Sequence, residues 1–401
     1  EELFEPAINI AENGFTIDTR QADLLNKHKQ DFIKFNTKNN YFIKEKKWKN
    51  GDTLIQKDLA NTLKIIRDEK RKGFYDGEIT KKIIESLGSE SLLSLEDFRS
   101  YESIWRKPII SKINEYKIIS MPPPSSGGIA LSQLIKMLFN FKTNNLKHNS
   151  AQYIHLLTEI EKLVYADRSK YLGDSDFYKV PIKKLLNENY LQNQSKKIDL
   201  SKPTPSKSIN PGDLNYNESE ETTHFSIIDF DGNAVSVTTT LNTNFGSKVF
   251  VDDLGFLLNN EMDDFSSKPG SPNTYGLIGS EANSIAPGKR MLSSMTPTII
   301  EKEDELFLIL GSPGGSTIIT SVFQTFLNLV LFNMDIQSAV DEPRFHHQWL
   351  PDYIYLEKNS LNPLTIDSLK LLGHQIKERG SMGHVNAIYV GEKIEIGADK
   401  R

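Results

Sequence analysis

The chain has 401 residues, which is enough to bury a sizeable core as one large α/β unit or as two closely packed halves. Its hydrophobic fraction of 38%, charged fraction of 25% and net charge of -5 are ordinary for a globular protein and argue against a nucleic-acid partner. No apolar run reaches membrane-spanning length. The absence of cysteine removes disulfides, thiolate nucleophiles and Cys-ligated zinc.

The first half is predicted to be mainly helical, up to about residue 194. Apolar residues recur there at three-to-four spacing, for example at Leu59, Leu63 and Ile66. Three prolines followed by Ser-Ser-Gly-Gly, at 122–128, predict a rigid elbow that opens a helix over 129–141. The polar, proline-containing stretch at about 195–221 predicts a flexible linker.

Strands dominate after the linker, beginning with segments 223–230 and 233–242 around a hairpin signal at Asp231-Gly232. A two-residue turn there places Thr222 opposite Leu241, between Thr240 and Asn242. In an ideal ladder of this register Thr222 and Thr240 face opposite sides, so their contact requires a frayed end or a bulge. Further strands at 298–301, 305–310 and near 387–390, with a helix at about 317–332, predict a layered α/β architecture.

Three later segments offer polar groups for chemistry, and each has a structural alternative. Residues 311–316, Gly-Ser-Pro-Gly-Gly-Ser, follow a strand and precede a helix, so their backbone N–H groups suit an oxyanion hole or a plain turn. A phosphate loop of the Walker type needs a lysine that is missing. The carboxylates at 259–264 suit an ammonium group, a metal or solvent, and the serines within 289–298 suit a carboxylate or an ordinary turn.

Together and in this order, these segments resemble the γ-glutamyltransferase family of bacterial type. The resemblance rests on Thr222-Thr223-His224-Phe225-Ser226, Leu241-Asn242, 257–266, 290–298 and 311–316. It extends upstream through 73–77, 122–128, 166–168 and 171–174, and so covers essentially the whole chain. It implies an α/β (α+β) fold, the four-layer αββα sandwich of N-terminal nucleophile hydrolases, in which helices lie outside two central sheets.

The resemblance also implies a self-processing enzyme. Cleavage between Glu221 and Thr222 would leave a large-subunit portion, 1–221, and a small catalytic subunit, 222–401, associated as a heterodimer or a dimer of heterodimers. Thr222 would then attack the γ-glutamyl amide of glutathione or related compounds, and water or an acceptor amino acid or peptide would resolve the acyl-enzyme. No cofactor and no metal are implied.

The family pattern gives roles to individual residues. It implies that Thr240 orients the nucleophile and that Gly314 and Gly315 stabilise the oxyanion. Six further residues match substrate-binding positions: Asn242, Glu261 and Asp264 for the α-ammonium group, Ser293 and Ser294 for the α-carboxylate, and Tyr275 on a lid loop.

The family extends beyond both ends of this chain, which predicts truncation and places the protein in the periplasm or outside the cell. The missing N-terminal stretch would carry a signal or anchor segment and an arginine that pairs with the substrate carboxylate. Two alternatives stay open at this point. One is a related self-processing amidase, an acylase or a poly-γ-glutamate depolymerase, and the other is a non-catalytic scaffold with the same fold.

Overall fold

The computed structural model describes residues 1–38, 40–89, 91–209, 222–266 and 279–401. They form two units, one of Glu1–Trp105 with Phe245–Asn260 and the other of Arg106–Asn244 with Glu261–Arg401. These units reflect how the chain packs. The predicted boundary between residues 221 and 222 instead marks a cleavage site between two subunits, and it stays a prediction.

Helices account for much of the first 200 residues, and several more occur in the last hundred. Among the described helices, none is both long and apolar enough to cross a membrane. The α-helices are α1 Glu5–Asn13, α2 Thr19–Lys27, α3 Lys29–Phe35, α4 Lys57–Tyr75, α5 Glu78–Leu87, α6 Leu95–Ser100, α7 Gly127–Leu138, α8 Ala151–Tyr171, α9 Ile182–Leu185, α10 Glu188–Ser195, α11 Thr317–Phe332, α12 Ile336–Asp341 and α13 Pro363–Leu372.

Most strands are short, and the longer ones lie in the second unit. The strands are β1 Phe15–Thr16, β2 Thr53–Leu54, β3 Ile109–Ile113, β4 Tyr116–Ser120, β5 Thr223–Ile228, β6 Ala234–Thr239, β7 Phe250–Val251, β8 Phe256–Leu257, β9 Thr298–Lys302, β10 Glu305–Gly311, β11 Phe345–His346, β12 Ile354–Glu357, β13 Ile376–Arg379, β14 Asn386–Val390 and β15 Ile394–Ala398.

The first unit is built from α1–α6 with two small strand pairs. Asp18 caps α2 and forms a capping box with Gln21, which satisfies backbone donors that the first helical turn leaves free. Lys70, at φ +57, interrupts α4. An aromatic core that includes Phe32, Phe42 and Trp48 holds the unit together.

The second unit centres on a six-stranded sheet with the order β15-β14-β10-β9-β4-β3. Alternate residues of its central strand β10, Leu308 and Leu310, are fully buried in the main core together with residues of α7, α8 and α11. Because side chains of a strand point to opposite faces in turn, this places the helices on one face of the sheet.

The β5–β6 hairpin lies on the other face of this sheet. The ring of His224 from β5 covers Gly311 of β10 so closely that a Cβ there would lie 2.3 Å from the ring. The side-chain amide of Asn386 in β14 donates to the backbone oxygen of His224 at 3.0 Å. The described residues therefore form helical, sheet and hairpin layers in this order, which accounts for three of the four predicted layers.

Three sequence expectations need adjustment. The predicted helix over 129–141 is present as α7, but it spans Gly127–Leu138 and so begins two residues and ends three residues earlier. The half predicted to be mainly helical also contains the β3–β4 hairpin, in which Asn114 takes a turn conformation with φ +52. The first part of the predicted linker is anchored, because Ser206 is buried and bonds to Asp352 through its backbone N–H and hydroxyl at 2.9 and 2.8 Å. Residues 210–221 lie outside the described residues.

Candidate active site

The β5–β6 hairpin positions Thr222 through its register, which differs from the predicted one. Thr223 pairs with Thr239 and Ile228 with Ala234. Continuing this ladder places Thr222 opposite Thr240, so the predicted pairing of Thr222 with Leu241 is wrong by one residue. Directly opposed residues point to the same face of a sheet. The two threonine side chains therefore meet in regular geometry, and the expected distortion of the strand end is unnecessary.

The loop of the hairpin explains the shift in register. The backbone N–H of Asp229 donates to the carbonyl of Asn233 at 3.1 Å, which leaves a three-residue loop, 230–232. Gly232 adopts φ +83 there, as expected for a type I turn followed by a left-handed residue. The Asp229 carboxylate accepts the backbone N–H groups of Asp231 and Asn233 at 2.9 and 2.8 Å. This carboxylate stabilises the longer loop over a two-residue Asp-Gly turn.

Thr222 hydrogen-bonds to Thr240 at the end of this hairpin. The distance between their Oγ1 atoms is 3.3 Å. Oγ1 of Thr240 also accepts the backbone N–H of Asn242 at 2.8 Å. Asn242 is buried and has φ +74, a conformation that asparagine tolerates better than most residues. One threonine oxygen thus links the predicted nucleophile to the turn that carries a predicted substrate-binding residue.

The glycine-rich turn connects β10 to α11, as predicted from its position in the sequence. Gly314 has φ +130 and Gly315 has φ +53. The Thr317 hydroxyl donates to the Gly314 carbonyl at 2.8 Å, and this bond holds the turn against the first residue of the helix. The turn places backbone N–H groups at a helix N-terminus, where negative charge is stabilised.

The acidic segment forms a short 3-10 helix, Glu261–Asp264. Desolvation raises the pKa of Glu261 to about 7. Desolvation also raises the pKa of Asp264 well above its usual range, the charge of Glu261 adds to that effect, and Arg168 opposes it. A cationic group of a ligand would stabilise both carboxylates in their ionised form.

The paired serines are held by the Pro-rich elbow. The Ser126 backbone N–H and hydroxyl both donate to the Ser293 carbonyl, at 2.8 and 2.7 Å. Gly127 packs so tightly beneath this segment that a Cβ would lie 2.2 Å from the Met295 carbonyl oxygen. Arg168 of α8 donates to the Ser294 hydroxyl at 2.9 Å. The elbow predicted at 122–128 therefore fixes the serine-bearing segment.

Most of the predicted site residues share one pocket, which lies within the second unit. Gly314 directly precedes the wall residue Gly315, and Glu261 comes three residues before the wall residue Asp264, but neither is part of the wall. Glu221 and Tyr275 lie outside the described residues. The pocket is lined by Arg168, Thr222, Thr240, Asn242, Asp264, Leu292, Ser293, Ser294, Met295, Gly315, Ser316 and Ile318.

A separate polar cluster in the second unit has the composition of a metal site. Ligand atoms of His155, Glu159 and His374 lie within 4.8 Å of one another. The two histidines, however, hydrogen-bond directly to each other at 2.7 Å. Both Glu159 oxygens accept hydrogen bonds, one from the Lys162 ammonium at 2.7 Å and one from the Thr204 N–H at 2.9 Å. We assign this cluster to the buried polar network that holds α8.

Comparison with known proteins identifies the family. A family model described as Gamma-glutamyltranspeptidase matches residues 1–401. The chain belongs to the gamma-glutamyltranspeptidase family. It is 42% identical over 397 residues to the glutathione hydrolase proenzyme of Escherichia coli, with 98% of this chain and 68% of that protein covered. It is also 42% identical over 408 residues to the protein of the same name from Pseudomonas aeruginosa, with 100% and 72% covered.

Solved structures confirm the predicted fold class. The chain matches the cephalosporin acylase from Bacillus halodurans with a TM-score of 0.84 at 22% identity, covering 98% of this chain and 72% of that one. At this level of identity the match concerns the fold alone. A member of the gamma-glutamyltranspeptidase family with this architecture is an N-terminal nucleophile hydrolase.

Arg168 is the one charged residue of the pocket that sequence reasoning did not single out. Its motif, 166–168, contributed to the family resemblance but received no role. It is 4% exposed although it lies in the last turn of α8, near the surface end of a helix where a basic residue is usually solvated. The motif draws attention to the residue, but only the fold shows that its side chain is buried and lines the pocket.

Proposed function

We propose that the protein is a γ-glutamyltransferase and glutathione hydrolase that cuts its own precursor between Glu221 and Thr222. The observation that carries this proposal is the pocket in which Thr222, hydrogen-bonded to Thr240, lies beside Asp264 and Ser294. Self-processing and the glutathione donor are supported by the relatives, which are named glutathione hydrolase proenzymes.

Cleavage before Thr222 supplies both parts of a nucleophile. The hydroxyl attacks, and the freed α-amino group, with an ordinary pKa of about 7.7 to 8.0, accepts its proton. Oγ1 forms a bond to the γ-carbonyl carbon, and the proton passes to the departing amine as the carbon–nitrogen bond breaks. Water or an acceptor amine then attacks the ester and restores the hydroxyl, releasing glutamate or a new γ-glutamyl amide.

Opposite charges on the pocket wall, Asp264 and Arg168, fit the two charged groups on the α-carbon of a glutamyl group. In this proposal the α-ammonium group is bound by Asp264, Glu261 and Asn242. Because the two carboxylates are desolvated, a nearby cation stabilises their ionised forms strongly. Ser293 and Ser294 donate to the α-carboxylate. An acylase acting on uncharged acyl chains would have no use for this charge pattern.

The glycine-rich turn is assigned to the tetrahedral intermediate. The backbone N–H groups of Gly314 and Gly315 would stabilise the developing oxyanion, a contribution of about 3 to 4 kcal/mol per donor in other enzymes. Tyr275 is assigned to a lid over the donor. These roles follow the family pattern, and the position of Gly315 on the pocket wall supports the role of its turn.

The larger context of the protein is part of the same proposal. We assign the two products of cleavage to a heterodimer, or a dimer of heterodimers, and the mature enzyme to the periplasm or the extracellular space. Family membership supports both assignments. Fractionation of the source cells, with the activity followed in each fraction, tests the location.

The full-length precursor provides the test of function. Intact mass and N-terminal sequencing after incubation should reveal a new terminus, Thr222-Thr223-His224, together with amine release from a chromogenic γ-glutamyl anilide. Thr222→Ala should abolish both processing and hydrolysis, whereas Thr222→Ser keeps a hydroxyl and should retain part of each. An uncleaved and inactive wild-type protein would favour a scaffold, and cleavage with turnover of uncharged acyl amides alone would favour an acylase.

A further inference from the structure

Arg168, a residue of the pocket wall, makes two directional hydrogen bonds. Its Nε donates to the Ser126 hydroxyl and its Nη2 to the Ser294 hydroxyl, both at 2.9 Å. A guanidinium group only donates, so each serine oxygen must accept from Arg168 and direct its own hydrogen elsewhere. Ser126 directs its hydrogen to the Ser293 carbonyl at 2.7 Å. The Ser294 hydrogen is likewise turned away from Arg168.

Because of its position, the oriented Ser294 hydroxyl can donate a hydrogen bond to a ligand. Ser294 is on the pocket wall together with Thr222, so a hydrogen turned away from Arg168 is available to an acceptor in the pocket. Hydrogen bonds to an ionised carboxylate are roughly twice as strong as neutral ones. An oriented hydroxyl donor therefore favours an anionic ligand group over a neutral one at this wall.

The charge of Arg168 also acts on Asp264, another residue of the pocket wall. Asp264 is desolvated, and Glu261 adds a second negative charge close by. The Arg168 guanidinium lowers the pKa of Asp264 and thereby favours the ionised form that an ammonium group needs. Arg168 is itself 4% exposed, and buried cations of this kind persist when they are paired.

We infer that Arg168 is a positioning residue for donor recognition, which directs the Ser294 hydroxyl to the donor's α-carboxylate and balances the charge of Asp264. This inference rests on the proposed γ-glutamyl specificity. It also gives a role to the elbow at 122–128, because Ser126 and Arg168 together tie the serine segment to α8.

Two substitutions separate the hydrogen bonds from the charge. Arg168→Met removes both. Arg168→Lys keeps the charge, but a single ammonium group cannot reproduce the fixed fork of donors that spans Ser126 and Ser294. Two donors are compared, the chromogenic γ-glutamyl anilide and the 4-aminobutyryl anilide, which lacks the α-carboxylate.

Both variants should lower kcat/KM for the γ-glutamyl anilide by about 10- to 100-fold, mainly through KM, since a charged hydrogen bond is worth about 1.5–3 kcal/mol. The donors are compared on the plateau of the pH profile, where Asp264 is ionised and can hold the ammonium group that both donors carry. There, turnover of the carboxylate-free anilide should change little, so the ratio between the donors falls. The acidic limb of the pH profile should move to higher pH in Arg168→Met and stay near the wild-type position in Arg168→Lys.

A merely structural role would lower turnover of both donors equally. Arg106→Met is the matched control, because Arg106 pairs with Asp176 at 2.5 Å and does not line the pocket. In a Ser294→Ala background, Arg168→Lys should no longer change the donor ratio. If Arg168→Met fails to fold, the double-mutant cycle of Arg168→Lys and Ser294→Ala still tests whether Arg168 acts through the Ser294 hydroxyl.

Two further outcomes distinguish failure of the proposed function from failure of the role given to Arg168. A wild-type protein that turns over neither donor contradicts the proposed function. A wild-type protein that prefers the γ-glutamyl donor, with a ratio unchanged in both Arg168 variants, contradicts the role of Arg168 alone.

Discussion

The Thr222 hydroxyl lies 3.3 Å from Oγ1 of Thr240, and that same oxygen accepts the Asn242 backbone N–H at 2.8 Å. The contact follows from the hairpin register, in which Thr222 continues the ladder opposite Thr240. A regular strand pair therefore fixes the distance between the proposed nucleophile and its neighbour, and it does so without strain at the strand end.

Replacing Thr240 should impair catalysis through both of its hydrogen bonds. Thr240→Val keeps the branched shape but leaves the Asn242 N–H without its acceptor, which costs about 1–3 kcal/mol. We expect kcat for the γ-glutamyl anilide to fall about 10- to 100-fold and processing to slow, whereas Thr240→Ser should retain most of both. Steady-state kinetics and the rate of appearance of the Thr222 terminus measure these effects.

The control is Thr239→Val, the same change one residue earlier on an exposed side chain. It should leave both rates unchanged. Equal losses in the two variants would mean that the strand, and not the Thr240 oxygen, is responsible.

Gly314→Ala should remove activity without unfolding the protein. At φ +130 an L-residue is strained, and the new Cβ would lie 2.6 Å from Thr317 Oγ1 and 3.1 Å from Gly383 Cα. The turn must shift, and with it the proposed oxyanion donors, so kcat should fall about 100- to 1000-fold. Gly232→Ala is the control, because it has φ +83 but no atom within 4 Å. Gly232→Ala should cost about 1–2 kcal/mol of stability and leave kcat unchanged. A kcat for Gly314→Ala as high as that of Gly232→Ala would contradict the assignment of the turn to the oxyanion.

The sequence predicts the two strands of the hairpin and the strand and helix that flank the glycine-rich turn, because their periodicity and glycine-containing ends are local features. It does not predict the register of the hairpin. Asp231-Gly232 favours a two-residue turn, and only the Asp229 side chain, which satisfies two backbone donors, shifts the balance to the longer loop. A shift of one residue reverses which side chains share a face.

The inward turn of Arg168 and the β3–β4 hairpin were missed for a different reason. Both depend on partners far away in the chain: Arg168 bonds to Ser126 and Ser294, and β4 pairs with β9. A window of neighbouring residues contains neither partner. The isoleucine-rich segments Ile109–Ile113 and Tyr116–Ser120, on either side of the turn at Asn114, are a local signal that could have revealed the hairpin.

Donor binding should weaken as the pH falls through about 7. Burial raises the pKa of Glu261 to about 7 and that of Asp264 well above its usual range. Below these pKa values the carboxylates are neutral and attract the α-ammonium group less, so kcat/KM for the γ-glutamyl anilide should rise with pH and then level off. A profile that is flat from pH 5 to 8 would contradict this prediction.

Glu261→Gln should move the remaining acidic limb to lower pH. The charge of Glu261 raises the pKa of Asp264, so its removal lets Asp264 ionise earlier. Asp263→Asn is the comparison, because Asp263 raises the pKa of Asp264 in the same direction but with the smallest effect of the named charges. Glu261→Gln should therefore shift the acidic limb further than Asp263→Asn does. A larger shift in Asp263→Asn would contradict the assignment of this limb to Asp264.

Two glutamates of α8 should affect stability in opposite ways. Glu161 is fully buried, its Oε1 has no hydrogen-bond partner among the described residues, and desolvation raises its pKa well above the usual range. The unfolded chain releases this proton near pH 4.3, so above that pH the folded state binds more protons and the free energy of unfolding falls as pH rises. Glu161→Gln does not titrate, so its stability relative to the wild type should increase between pH 5 and pH 8.

Glu159→Gln, one half-turn away, should destabilise the protein at both pH values. Glu159 and Lys162 are both 1% exposed and their charged atoms lie 2.7 Å apart, so neutralising Glu159 removes the nearest counter-ion of a buried ammonium group. The Lys162 ammonium keeps the Thr204 carbonyl at 2.9 Å and Asp352 at 3.7 Å. The loss should therefore stay below the roughly 3–5 kcal/mol of a fully broken buried pair. Thermal denaturation of both variants and the wild type at the two pH values measures the difference. If Glu161→Gln gained no stability relative to the wild type with rising pH, Glu161 would have to be ionised in the folded protein, and its Oε1 would need a compensating partner.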